Sequence, residues 1–71
     1  MADVRDVEIR GDVIRLGQLL QLAGVADSGG QAKALLAEGG VTVNGEPESR
    51  RGRQLHPGDV VAAAGAELRV T

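Results

Sequence analysis

The sequence contains no cysteine, phenylalanine, tyrosine or tryptophan. Without cysteine there is no disulfide frame and no thiolate metal site, so nothing in the chain calls for an oxidising compartment. Without aromatic rings the core has to be built from Leu, Val, Ile and Ala. The same absence excludes recognition of single-stranded bases by stacking on rings. Any nucleic acid would be read through phosphates, shape and the 2′-hydroxyl. No stretch approaches the roughly 18 apolar residues of a membrane span, and the opening segment MADVRDVEIRGD has no apolar run of signal-peptide length. A cytoplasmic protein with no membrane partner is expected. His56 is the single histidine, and Ser28 and Ser49 are the two serines. They assemble no triad and no metal-ligand set, so a non-catalytic protein with no metal and no cofactor is expected.

With 71 residues the chain is expected to form one domain, residues 1–71, burying only about 60% of its unfolded surface. Val7 and Ile9 alternate with polar neighbours and predict a short strand over about 6–10, ended by a turn at Gly11-Asp12. Leu16, Leu19, Leu20 and Ala23 form one helical stripe, with Gly24 at the position after the C-cap. Ser28 followed by Gln31 has the spacing of a capping box, and Ala32, Leu35 and Leu36 form the inward stripe of a second helix, stopped by Gly39-Gly40. Val41-Thr42-Val43 runs into Asn44-Gly45, a type I′ hairpin signal. Pro47 confines the returning strand to an edge. Pro57-Gly58 suits a type II turn, and two more strands flank Gly65. Helices followed by a run of strands predict an α+β fold, with two packed helices against a small antiparallel sheet.

The formal net charge is −2, yet Arg50, Arg51 and Arg53 sit within four positions. Guanidinium groups are rigid forks suited to bidentate phosphate contacts and to stacking on bases. The bland alternative is a solvated loop in which one arginine pairs with Glu46 or Glu48. Phosphate binding depends on the local face rather than on net charge, so an acidic remainder would orient the basic face and discourage non-specific binding.

The block from Arg15 to Val60 resembles the S4-like RNA-binding domain, named after the fourth small-subunit ribosomal protein. The likeness rests on Arg15-Leu16 before the first helix, on Ser28, Ala32 and Lys33 in the second, and on Leu35-Leu36. It continues through Gly39-Gly40, the hairpin from Val41 to Gly45, and the step Gly58, Asp59, Val60. It is nearest to the small stand-alone bacterial members. The resemblance implies structured RNA, of ribosomal or transfer class, lying across the helices and the hairpin. It implies RNA contacts from Arg15 and Lys33, with Arg50, Arg51 and Arg53 gripping a neighbouring backbone segment. Ser28 and Gly29 open the second helix, where uncovered N–H groups favour a phosphate. Two positions depart from the common pattern: Gly17 stands where many members have Asp, and Gly29 where many have Arg.

Two other functions share part of this text. A protein-interaction adaptor with the same fold and weak RNA affinity fits the net negative charge and Gly29, and leaves room for a protein partner. A β-grasp sulfur carrier shares the likeness of Val43 to Val61. Its chemistry needs a terminal Gly-Gly, and the sequence ends Leu68-Arg69-Val70-Thr71.

Overall fold

The computed structural model describes residues 4–71. Strand β1 (Val4–Val7) and the two-residue β2 (Ile14–Arg15) precede helix α1 (Leu16–Leu22) and helix α2 (Gly29–Ala37). Five strands follow: β3 (Thr42–Val43), β4 (Glu46–Pro47), β5 (Gln54–Leu55), β6 (Val60–Ala63) and β7 (Ala66–Val70). The fold is α+β. The main sheet has the order β1-β7-β6-β3-β4, and β2 and β5 form a separate antiparallel pair.

Local signals stop α1 and start α2. Leu16, Leu19 and Leu20 on α1 are fully buried. The helix closes on Gly24 at φ 77°, with Gly24 N–H donating to the Gln21 carbonyl and Val25 N–H to the Leu20 carbonyl. Both bonds belong to the Schellman motif, which needs a left-handed residue at that point. On α2, Ser28 Oγ accepts from Gln31 N–H at 3.1 Å. Gln31 Oε1 reaches back to the Asp27 N–H, one residue beyond the cap itself. The capping box predicted from Ser28 and Gln31 is therefore displaced by one position on its return arm. Ala32 and Leu36 are buried as expected, while Leu35 is only half-buried against the core.

The sheet departs from expectation in two ways. It is mixed rather than antiparallel, because β1 pairs with β7 in parallel, from Val4 opposite Glu67 to Val7 opposite Val70. The strand expected over 6–10 also starts earlier, and Ile9 is tied by its N–H to the Thr71 carbonyl. Local alternation cannot report either fact, since direction and start are set by a partner far along the chain. The β3–β4 hairpin has Asn44 and Gly45 at φ 51° and 84°, as type I′ requires, and β4 with Pro47 forms the sheet edge.

One apolar cluster joins helices and sheet, uniting Leu16, Leu19, Leu20 and Leu36 with Val41, Val43, Leu55, Val61, Leu68 and Val70. Among the described residues this core holds no polar or charged residue. Each buried leucine contributes about 1.5–3 kcal/mol by transfer from water.

Candidate nucleic-acid interface

Helix α1 begins without a side-chain cap from Ser, Thr, Asp or Asn, because Arg15 occupies the cap position. Its first N–H groups are satisfied by another part of the chain. Leu16 N–H donates to the Arg53 carbonyl at 2.8 Å, and Gly17 N–H to the Arg51 carbonyl at 3.0 Å. Arg15 N–H is taken by Gln18 Oε1 at 3.2 Å. The β2–β5 pair, with Ile14 opposite Leu55 and Arg15 opposite Gln54, holds the two segments in register. The arginine loop is thus the cap of α1. This is why Arg15 and the 50–53 loop share one surface.

Between them lies a shallow polar cleft of about 260 Å³. Arg15 at the end of β2, Gln18 and Gln21 of α1, Arg51 of the loop, and Gly29 and Ala32 of α2 line it, with Gly17 and Gly52 contributing backbone. A Cβ on Gly17 would stand 3.4 Å from Arg51 Cγ and 3.5 Å from the Arg51 carbonyl, so the stem of Arg51 lies directly over the buried Gly17 backbone. A Cβ on Gly29 would stand 3.7 Å from Gln21 Nε2. Lys33 is exposed on α2 one helical turn beyond Gly29, outside the cleft lining. Ser28 is occupied with capping, and it borders the cleft through its neighbour Gly29 rather than lining it.

The three arginines do not behave alike. Arg50 and Arg53 both bond Glu48, through Arg50 Nη2 to Oε1 at 3.1 Å and Arg53 Nη1 to Oε1 at 2.9 Å. Arg50 Nε adds a bond to Oε2 at 3.2 Å. The Arg50 guanidinium, and then that of Arg53, hold the Glu48 carboxyl far below the usual carboxylate range. Arg51 has no acidic partner among the described residues. The expected trio therefore divides into one unpaired arginine on the cleft and two held by a carboxylate. Gln18 and Gln21 were missed from the sequence, where they read only as the polar side of α1. Their position beside Arg15 on the helix surface was the available signal.

The hairpin motif serves the scaffold. Asn44 Nδ2 donates to Asp59 Oδ1 at 3.1 Å, and Asn44 Oδ1 accepts from Val60 N–H at 2.9 Å. Asp59 Oδ2 accepts from His56 N–H at 2.8 Å. That backbone bond, with help from Asn44, lowers the Asp59 pKa. The Asn-Gly and Gly-Asp-Val steps are thus two halves of one clasp. No group of three or more potential metal ligands occurs among the described residues, and no described helix is long and apolar enough to cross a membrane.

Two helices and a mixed sheet, with a small polar cleft at the start of the first helix, make an α+β module of the S4 type. The chain belongs to the S4 domain family, whose pattern it matches over residues 7–71. It is 52% identical over 59 residues to a Bacillus subtilis protein named "Probable ribosome maturation protein RlbA", covering 83% of each chain. It is 40% identical over 57 residues to the Escherichia coli "Putative RNA-binding protein YbcJ", covering 80% of this chain and 81% of that one.

Proposed function

We propose that the protein is a non-catalytic RNA-binding module, one domain over residues 1–71, that docks structured RNA on the face around the α1 cleft. One observation carries this reading: Arg15 and Arg51, from distant parts of the sequence, meet at one polar cleft whose other lining is two glutamines, three glycines and Ala32. Arg15 and Arg51 contact phosphates flanking the cleft, and Lys33 contacts the backbone along α2. Gly29 leaves the first N–H groups of α2 uncovered for a further phosphate, while Ser28 holds that helix end in shape. Arg50 presents the side of its guanidinium turned away from Glu48. With no ring for stacking, the contacts follow backbone shape and the 2′-hydroxyl, which favours RNA over DNA. The names of the two bacterial relatives, one for ribosome maturation and one for RNA binding, support the reading and favour ribosomal over transfer RNA. A cytoplasmic location accords with such a partner.

The test is fluorescence anisotropy with end-labelled structured RNA across a salt series, with a DNA duplex as control. Three or four phosphate contacts predict a log–log salt slope of about −2 to −4 and a preference for RNA. Arg15→Ala and Arg51→Ala should each weaken binding and make the slope shallower by about one. No binding at low salt, or alanine variants that bind like the parent, would overturn the reading.

A further inference from the structure

Glu48 stands out by where its carboxylate lies. Its side chain is only 8% exposed, whereas that of its partner Arg50 is 73% exposed. Oε2 accepts from the backbone N–H groups of Ser49 and Arg50, at 3.0 and 3.1 Å, and from Arg50 Nε. Oε1 accepts from Arg50 Nη2 and Arg53 Nη1. Five donors converge on a group with about four lone-pair sites, so its acceptor capacity is filled. Arg50 gives up two of its five N–H donors to Glu48 and keeps three for another anion. Arg53 is held at both ends: its side chain by Glu48, its carbonyl by Leu16 N–H at the start of α1. The loop that carries Arg51 lies between these two anchors.

Resting on the RNA-binding reading above, we propose that Glu48 is a positioning residue. Its carboxylate fixes the arginine loop in the shape that presents Arg50 and Arg51 to RNA, so loss of this negative charge weakens RNA binding. Charge alone predicts the opposite. A carboxylate beside two arginines cancels part of their field, and removing it should tighten the grip on phosphate. The geometry decides between them because Glu48 faces inward and leaves the outer edge of Arg50 open. Holding a long side chain and its loop in place before binding removes an ordering cost from the binding step.

Two variants separate the two effects. Glu48→Asp keeps the charge and loses one methylene of reach, so it cannot satisfy all five donors. Glu48→Gln keeps the length, loses the charge and turns an amide N–H₂ toward donors. Both should weaken binding of the labelled structured RNA between about twofold and tenfold, the worth of one side chain ordered in advance. In both the salt slope should become shallower, which a loss of stability alone would not cause. Hydrogen exchange on the free proteins should be faster at the Ser49 and Arg50 amides and at Leu16 and Gly17, while amides of the β6–β7 ladder stay protected and report an intact fold. If Glu48→Asp binds like the parent and Glu48→Gln binds equally or more tightly, the proposal is overturned. Unchanged exchange at these four amides overturns it as well, independently of RNA. A parent protein that binds no RNA defeats the underlying reading instead.

Discussion

Asn44 and Ala64 adopt the same backbone conformation, each at φ 51° and each followed by a glycine, Gly45 at 84° and Gly65 at 78°. Both open a two-residue hairpin turn, but only Asn44 has a side chain suited to it. A left-handed φ crowds the alanine Cβ against the following carbonyl, at a cost of roughly 1–2 kcal/mol, whereas asparagine tolerates it. Asn44 further uses both ends of its amide in the clasp with Asp59 and Val60. Ala64→Asn should therefore raise stability by about 0.5–1 kcal/mol, read as a higher urea midpoint with unchanged slope. Neither Asn44 nor Ala64 lies near the cleft, so RNA affinity should not move with it. The Asn44-Gly45 turn was plain in the sequence because asparagine–glycine is a local signal. The turn before Gly65 was placed by its glycine alone, and nothing about Ala64 announced a left-handed residue.

Among the elements, the helices and the β3–β4 hairpin were legible because their determinants lie within a few residues: a leucine stripe, a capping serine, a glycine stop. The pair β2–β5 was not. Two residues per strand carry no period, and this pair is what delivers Arg15 to the arginine loop. Part of the candidate site was therefore readable as residue types, but its assembly was not. The division of the arginines was half visible, since a pairing with Glu46 or Glu48 was the plain alternative. That a single carboxylate would take two of them depended on its inward position.

The loop also has an acid signature. Glu48 is held ionised by Arg50 and Arg53, and Asp59 by the His56 N–H and Asn44. Both carboxyls bind protons less readily in the folded chain than in the unfolded one. The stability they supply is complete above the unfolded carboxylate range near pH 4 and is lost progressively below it. The urea midpoint should be flat from neutral pH to about 5 and then fall toward pH 3. In Glu48→Gln the fall over that interval should be smaller, leaving mainly the part owed to Asp59. An equally steep fall in this variant would show that Glu48 is not the group responsible.

At the scale of the whole molecule, net charge and local charge point opposite ways. The molecule measures 28 × 26 × 21 Å, while charge interactions are screened within about 8 Å at physiological ionic strength. Acidic residues on far surfaces, such as Glu67 on β7, therefore do little to offset the cleft in normal salt. At about 10 mM salt the screening length grows to about 30 Å and spans the entire molecule. The net charge of −2 then opposes RNA at every orientation. RNA affinity should rise as salt is lowered and then level off near that concentration instead of climbing along the same line. A straight log–log plot through the lowest salt would show that the far acidic surface has no influence.

The parallel pairing of β1 with β7 sets a timetable. Partners in that ladder are 63 positions apart, as Asp6 and Arg69 show by joining their side chains at 2.9 Å. Translation at roughly 5–20 residues per second separates the two strands by about 3–13 s. Throughout that interval Val7, whose side chain ends in the core, has no strand beside it. The helices and the β3–β4 hairpin can form as they emerge, but the sheet cannot close over them until β7 has been made. Strand β1 is made well before the strand it pairs with.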